Sequence, residues 1–409
     1  MSVDCCAGGT ASASERNSAL VFLALAAGGF AIGVAEFAAM SLLPYFAPEL
    51  GVDEPTAGHI ISAYALGVVV GAPILAIFGA RFSRRKLLIA LMGFYALSNG
   101  LSALAPTYEL MLVSRFFSGL PHGAYFGVAA LVAASIVPEN RRGAAVSLVM
   151  LGLTVATLIG VPFATFIGQT FGWRMGFVIV SALALLTAVF VFLFAPRDPA
   201  HPGASPLREL GALARRQVWL TLGIGAIGFG GLFAVYTYLG SALIAVTKAP
   251  PAALPLLLAC LGLGMTVGNL VCARLADRAL MPTAGGILLF GAAASALYPF
   301  ALGSVWTLAP VVFLIGLIGG LGPVLQIRLM DVAGDGQTLA AALHHSAFNF
   351  ANALGPWLGG LAISAGYGWA STGWVGVALA LGGFAIFLVA LLDARLNANK
   401  DSAIEQTSG

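Results

Sequence analysis

Charge is what this sequence has least of. Only 9% of its 409 residues are Asp, Glu, Lys or Arg, while 60% are apolar. Soluble domains average about 25% charged and about 45–50% apolar residues. A soluble fold of this length could not bury so much apolar surface. The composition therefore excludes an ordinary soluble enzyme and favours a chain that faces lipid.

Signals for several other protein classes are also missing. The four cysteines have neither metal-ligand spacing nor the pattern of a disulfide framework. No basic run with interleaved aromatics occurs, which argues against nucleic-acid binding. Phosphate-binding loops ending in Gly-Lys-Ser or Gly-Lys-Thr, Gly-x-Ser-x-Gly and His-Glu-x-x-His are absent. We therefore expect no catalytic residue, no metal and no cofactor. The first 17 residues carry no apolar run, so a signal peptide is not predicted.

What the sequence does have is long apolar runs. A helix needs about 20 apolar residues to cross a bilayer, and backbone satisfaction in lipid allows only helices or closed barrels. The runs are too long and too uniformly apolar for barrel strands. Twelve spans are predicted, at 18–43, 56–79, 87–105, 110–137, 143–169, 175–195, 218–240, 252–273, 282–303, 306–327, 338–364 and 370–392.

The distribution of basic residues supports this map. With the N-terminus placed inside, 16 of the 19 basic residues fall in inner segments. Only Arg174 and Lys248 fall outside, and Arg115 lies within a span. Basic residues concentrate on the cytoplasmic side of membrane proteins. The pattern predicts an even number of spans with both termini cytoplasmic.

The chain is predicted to consist of two halves. A polar, proline-rich stretch at 196–217 lies near the midpoint and is interpreted as a cytoplasmic linker. Gly71 and Gly268 head similar segments 197 residues apart, and Pro162 and Pro356 lie 194 apart. The predicted domains are an N-terminal tail (1–17), a six-helix bundle (18–195), the linker, a second six-helix bundle (218–392) and a C-terminal tail (393–409). Because six spans per half is even, the repeats are parallel.

Several segments resemble a known family. They are GVAEFAAMSLLPYFAPELGV, AGHIISAYALGVVVGAPILAIFGARFSRRKLL, VSRFFSGLPHGAYFGVAALVA, GLTVATLIGVPFATFIGQTFGWR and AALHHSAFNFANALGPWLGG. The chain resembles major-facilitator transporters of the drug:proton antiporter group, near the arabinose- and sugar-efflux permeases. The resemblance implies an all-α membrane fold of twelve transmembrane helices in two pseudo-symmetric six-helix bundles.

The family's motif in the loop between spans 2 and 3 is only partly kept. Gly71, Arg81 and Arg85 match it, but Ala80 replaces an expected Asp and Ser83 an expected Gly. The resemblance implies that this loop is a cytoplasmic latch, in which the Asp caps a neighbouring helix and pairs with an Arg. A loop whose basic residues only set the topology is the alternative.

Two further motifs match the family. The second copy of the loop keeps Asp277 and Arg278, and the antiporter motif of span 5 is matched by Gly160 and Pro162. The resemblance gives these residues gating roles. Small residues let helices pack closely and proline removes one backbone hydrogen bond, so span 5 is expected to bend. Plain helix packing would explain the same residues.

Only two charged residues lie within the predicted spans, Glu36 in span 1 and Arg115 in span 4. Intramembrane charges are costly and usually functional. At 1.5 Å per residue, both lie about 8–11 Å inside the outer ends of their spans. They can meet if the spans adjoin. Our hypothesis is that Glu36 carries an exchanged proton and Arg115 tunes it; a permanent ion pair that only locks the helices is the alternative.

Histidines and aromatic residues supply the remaining candidates. His122 in span 4 titrates near physiological pH when unperturbed and is a further candidate for proton coupling, although hydrogen-bonded packing is the commoner role. Aromatic rings with a polar handle suit amphipathic substrates. Predicted substrate contacts are Tyr64, Tyr125, Phe126, Tyr236, Tyr238, Gln326, His345 and Asn349.

Together these features predict a proton-driven secondary transporter of the bacterial inner membrane that exports a small organic molecule. Its partners would be substrate, protons and lipid, and it would act as a monomer. An uptake symporter of the same fold and a non-transporting membrane receptor are the alternatives. The substrate is not predicted.

Overall fold

The computed structural model describes residues 13–79, 82–138, 141–197, 211, 213–334 and 337–408. All regular secondary structure in these ranges is helical. The long helices in chain order are α1 (Ala13–Ser41), α2 (Glu54–Gly79), α3 (Arg84–Leu104), α4 (Tyr108–Ser135), α5 (Arg142–Val155 continued by Val161–Phe171), α6 (Trp173–Phe194), α7 (Arg216–Thr247), α8 and α9 (Leu254–Ala301, broken at Ala279), α10 (Val305–Ala333), α11 (Gln337–Ala362) and α12 (Ser371–Ser408).

The long helices cross the membrane twelve times, as predicted. Ten helical stretches in the described part are long and apolar enough to span a bilayer. One of them, Pro251–Ala301, is 51 residues long and changes direction at Ala279, where φ is −158° and ψ is 81°, so it makes two passes. The remaining helix, α11, is not among the ten. It carries His344, His345, Asn349 and Asn352, and polar side chains of this kind require burial between other helices.

Glycines repeat the same helix contact in both halves. A Cβ on Gly119 of α4 would lie 2.0 Å from the carbonyl oxygen of Tyr64 in α2. In the second half, a Cβ on Gly316 of α10 would lie 2.3 Å from the carbonyl oxygen of Leu261 in α8. Gly316 follows Gly119 by 197 positions, and Leu261 follows Tyr64 by the same number. This is the offset predicted from Gly71 and Gly268. Backbones this close require glycine, so the contact explains the repeat.

Gly71 belongs to the same packing pattern. A Cβ there would lie 2.2 Å from the carbonyl oxygen of Leu120, and one on Gly268 would lie 2.3 Å from that of Leu317. Each pair of helices, α2 with α4 and α8 with α10, is therefore held together by glycine in corresponding places. This geometry gives Gly71 a packing function.

The two bundles meet along several pairs of helices. α2 and α4 pack against α11, α5 packs against α8, and α1 packs against α7. The α5–α8 contact centres on a π-helical turn, Ala156–Gly160, which widens the helix immediately before Pro162. A Cβ on Gly262 of α8 would lie 2.4 Å from the carbonyl oxygen of Thr157 in this turn. The predicted irregularity at Gly160 and Pro162 is therefore a π-turn at the contact between the bundles.

The predicted cytoplasmic latches differ from expectation. Asp277 and Arg278 are exposed, and neither makes an ion pair or hydrogen bond to another residue that the structure describes. The expected pairing of this Asp with Arg is absent because α8 ends there in an exposed kink. In the first copy, Arg85 donates through Nη2 to the carbonyl oxygen of Phe192 at the end of α6. Arg81 and most of the linker, residues 198–210, lie outside the described residues.

Candidate functional site

Glu36 lies at the contact between the two bundles. It sits on α1 and only 6% of its surface is exposed. Its Oε1 accepts a hydrogen bond of 2.8 Å from Nδ2 of Asn352, which belongs to α11 in the other bundle. A buried carboxylate needs such a partner, because burial of an unpaired charge is costly. The carboxyl of Glu36, which can bind a proton, is therefore hydrogen-bonded directly to the other bundle. We call the contact surface between the two bundles the seam.

Arg115 lies next to this carboxylate but does not form the expected ion pair. No N···O distance within 4.0 Å joins it to Glu36 in the described part of the chain. Its Nη2 instead donates to the carbonyl oxygen of Ala35, the residue before Glu36, at 3.2 Å. Nη1 donates to Oδ1 of Asn99 at 3.1 Å, and the guanidinium carbon lies 4.3 Å from the centroid of the Tyr64 ring.

Arg115 is fully buried, and the two terminal nitrogens of its guanidinium are already bonded to other groups. A backbone carbonyl, a side-chain amide and an aromatic face hold the planar guanidinium in one orientation, and only Nε has no partner among the described residues. Arg115 therefore places a fixed positive charge beside Glu36 without bonding to it, and it leaves the Glu36 carboxylate free to bond to Asn352.

A chain of hydrogen bonds connects α3, α2 and α4 next to the guanidinium of Arg115. The hydroxyls of Tyr95 and Tyr64 are 2.9 Å apart, and the Tyr64 hydroxyl lies 3.0 Å from Nδ1 of His122. All three residues are buried. The chain fixes the orientation of the His122 ring and leaves Nε2 as its second polar atom. Tyr64 is therefore a positioning residue for both Arg115 and His122.

Aromatic rings from the two bundles meet beyond His122. Phe126 of α4 stacks on His345 of α11, with centroids 5.5 Å apart and planes 6° apart. The centroids of His122 and His345 are 6.5 Å apart. Three of the predicted residues are thus brought together across the seam.

A second aromatic group lies next to Glu36. The ring of Phe37 is 5.3 Å from that of Tyr236 and 6.1 Å from that of Phe233, both on α7. The hydroxyl of Tyr236 is buried and has no hydrogen-bond partner among the described residues. Glu36 therefore lies between aromatic side chains of α7 and the polar side chain of Asn352 on α11.

The other predicted substrate contacts divide into three groups. Tyr125 donates to the carbonyl oxygen of Leu25 at 2.8 Å and packs beneath Gly28, so it belongs to the N-terminal bundle and its hydroxyl is committed there. Gln326 is half-buried on α10 and makes no hydrogen bond to another described residue. Asn349 lies on the same face of α11 as His345 and Asn352.

One side of the seam is closed by direct bonds between the bundles. By the predicted topology this is the outer side. Ser62 donates to the carbonyl oxygen of Ala353 at 2.8 Å, and Gln169 donates to that of Pro251 at 3.0 Å. The ring of Tyr238 lies against α2, since a Cβ on Gly58 would be 2.2 Å from its hydroxyl oxygen. These contacts lie between Glu36 and this end of the seam.

Sequence reasoning missed several residues of this site. Asn352 and Tyr95 are the most important, and Asn99, Phe37 and Phe233 are the others. Asn352 does have a signal, because it follows His345 and Asn349 at i+7 and i+3 on an otherwise apolar helix. No group of three His, Cys, Asp or Glu that could hold a metal occurs in the described ranges.

The comparisons with known proteins agree with the fold. The sequence profile of the Major Facilitator Superfamily matches residues 25–335. The chain belongs to this superfamily. It is therefore a multi-pass membrane transporter rather than an enzyme, with twelve helices in two pseudo-symmetric bundles.

Individual relatives match this superfamily member over most of its length. The chain is 39% identical to the inner membrane transport protein YdhP of Escherichia coli (strain K12), over 90% of this chain and 94% of that protein. It is 29% identical to a probable sugar efflux transporter of Helicobacter pylori (strain ATCC 700392 / 26695), over 86% of this chain and 90% of that one. The crystal structure of a mutant of the nucleoside transporter NupG aligns with a TM-score of 0.74 at 12% identity, covering 91% of this chain and 99% of NupG. That likeness concerns the fold alone.

Proposed function

We propose that this superfamily member is a proton-coupled exporter of a small organic solute that works by alternating access in the bacterial inner membrane. It acts as a monomer with both termini in the cytoplasm, and the proton motive force drives it. The observation that carries the proposal is the hydrogen bond between Glu36 of one bundle and Asn352 of the other.

Protonation of Glu36 changes the strength of this bond. A hydrogen bond to an ionised carboxylate is roughly twice as strong as one between neutral groups. When Glu36 binds a proton, the bond to Asn352 weakens and the carboxyl loses its attraction to the nearby positive charge of Arg115. The outer contacts can then part, so the proton favours the outward-open state. The outer side must close before the proton can leave to the inside, and the deprotonated carboxylate then keeps it closed through the stronger bond to Asn352.

Exchange of proton for solute needs only that each ligand binds one conformation better than the other. Proton and solute then each shift the equilibrium between the outward-open and inward-open states. Solute loaded from the inside and proton loaded from the outside drive opposite half-cycles. The name of the Helicobacter relative supports export. An uptake symporter would use the same carboxyl with both ligands loaded from one side.

The test is the substitution Glu36→Gln, since glutamine keeps the size and the acceptor oxygen but cannot bind a proton. Purified protein is reconstituted in liposomes with an interior pH dye and offered uridine, arabinose and chloramphenicol in turn. We expect at least one solute to drive proton movement in the unmodified protein. We expect Glu36→Gln to abolish this proton signal while leaving exchange of labelled solute without a gradient.

The matched control is Glu49→Gln. Glu49 is exposed outside the membrane, and its hydrogen bond with Arg174 holds the pKa of Glu49 below its usual value. It therefore stays ionised during the assay, and its loss should leave solute-driven proton movement intact. Persistence of that movement in Glu36→Gln contradicts the proposal. Solute content of cells before and after an uncoupler gives the direction: it rises for an exporter and falls for a symporter.

A further inference from the structure

α11 presents a row of polar side chains along the seam between the bundles. His345, Asn349 and Asn352 follow one another at i, i+4 and i+7, which places them on one face of the helix. Two of them contact the N-terminal bundle directly, His345 through Phe126 and Asn352 through Glu36. We call these three residues the α11 stripe.

The stripe has acceptor atoms without partners. Nδ2 of Asn352 is bonded to Glu36, and Nδ2 of Asn349 donates to the carbonyl oxygen of His345 at 3.0 Å. The two donors are thereby fixed, so the Oδ1 atom of each amide is its acceptor. Both Oδ1 atoms are buried and have no hydrogen-bond partner among the residues that the structure describes. Buried polar atoms are normally paired, and each exception needs an explanation.

Charge around the seam excludes one class of ligand. Glu36 contributes a negative charge that balances the neighbouring cation, Arg115, whose Nη1 and Nη2 donate to Asn99, Ser118 and Ala35; its buried Nε has no partner among the described residues. No other Lys or Arg of the described part lies deep within the spans of either bundle, and the basic side chains nearest the stripe are the imidazoles of His122, His344 and His345. An organic anion at this place would meet acceptor oxygens and a carboxylate without a free counter-charge.

We infer that the transported solute is a non-anionic molecule carrying at least two neighbouring O–H or N–H donors, which bind the Oδ1 atoms of Asn349 and Asn352. Residues three apart on a helix have Cβ atoms about 5–6 Å apart, so the donors lie on adjacent or nearly adjacent atoms of the solute. The parallel Phe126 and His345 rings provide the flat face beside them. This inference rests on the proposed transport function and names the chemistry of its solute.

Thermal unfolding of the purified full-length protein in detergent tests this without any proton gradient. The probes are uridine and chloramphenicol, each with a donor-depleted analogue (2′,3′-dideoxyuridine and di-O-acetylchloramphenicol), together with benzoate as an anion and tetraphenylphosphonium as a donor-free cation. At least one donor-bearing probe should raise the Tm. Its analogue, benzoate and tetraphenylphosphonium should not.

Two variants locate the effect on the stripe. Asn349→Leu should weaken binding of the stabilising probe by about tenfold, because one acceptor is lost. Asn349→Gln keeps both the amide donor that bonds to His345 and an acceptor oxygen, and it should bind within about threefold of the unmodified protein. Equal stabilisation by the donor-free probes, no stabilisation by either donor-bearing probe, or unchanged binding in Asn349→Leu would each overturn the inference. Because no gradient is present, such a result leaves the proton-coupling test at Glu36 unaffected.

Discussion

At the scale of single residues, Arg115 is the most constrained side chain of the site. It is fully buried, donates to two side chains and one backbone carbonyl, and lies between the rings of Tyr64 and Phe177. A lysine has the same charge but cannot supply a planar fork of donors or stack on both rings. Its compact ammonium would leave at least one buried acceptor unpaired.

We therefore predict that Arg115→Lys lowers the stability of the protein by about 1–3 kcal/mol, the cost of an unsatisfied buried polar group. The measurement is the Tm of the purified protein in detergent. Arg174→Lys is the control, because Arg174 pairs with Glu49 at the surface and exposed pairs contribute only about 0–1 kcal/mol. A Tm for Arg115→Lys as high as that of Arg174→Lys would contradict the role assigned to the guanidinium.

Sequence alone found the two charged residues of the site but not their bonds. Glu36 and Arg115 stand out because charge within an apolar run is rare. Their depth along α1 and α4 was predictable from helix rise, and it correctly placed them side by side. The choice of Ala35 and Asn99 over Glu36 as partners of Arg115 depends on side-chain direction in the folded bundle. Asn352 comes from the other half of the chain, so no local pattern connects it with Glu36.

At the scale of elements, close glycine contacts hold the helix pairs together. α2 and α4 approach at Gly67 and Gly119, and α8 and α10 approach at Gly264 and Gly316. In lipid the helices gain little hydrophobic energy from each other, so close packing of this kind contributes most of the contact. The offset between the two sets is constant because both halves use the same contact.

Gly119→Ala should lower stability by about 1–3 kcal/mol, the usual range for an overpacked core, because its Cβ would lie 2.0 Å from the carbonyl oxygen of Tyr64. Gly127→Ala is the control on the same helix, since a Cβ there meets nothing within 4 Å. Melting of the two purified variants distinguishes the positions. Equal melting temperatures would show that the α2–α4 contact relaxes without cost.

Elements were the most predictable level of the structure. The twelve predicted spans match the helices of the structure, although α11 is too polar to be among the ten stretches that qualify by length and composition. The positive-inside pattern separated α8 from α9, which the structure joins through a single kink at Ala279. The latch at Asp277 and Arg278 stays a prediction, since both residues are exposed and make no bond to another described residue in this state. The π-turn before Pro162 was visible only as a glycine-rich irregularity.

At the scale of the whole molecule, the seam between the bundles combines one closed end, which the predicted topology places on the outer side, with a titratable centre. Ser62, Gln169 and Tyr238 close the outer side through contacts that carry no charge. Glu36 is the acidic residue at the centre of the seam, and Asp53 and Glu54 are further acidic residues close to Tyr238 at its outer end. The ionisable groups around Glu36 are Tyr64, Tyr95, Tyr236, His122 and Arg115. In the proposed cycle, the protonation of this one carboxyl controls the opening of the outer side.

The most direct test measures the distance between the outer ends of the bundles as a function of pH. Spin labels are attached to cysteines at Glu109 and Gly303, which are exposed at the outer ends of α4 and α9, after replacement of the four native cysteines. Lowering the pH from about 8 to about 5, a range in which a perturbed carboxyl can titrate, should lengthen the distance in the otherwise unmodified protein and in Glu49→Gln. The distance should stay unchanged in Glu36→Gln. The same pH-dependent lengthening in Glu36→Gln would contradict the central claim.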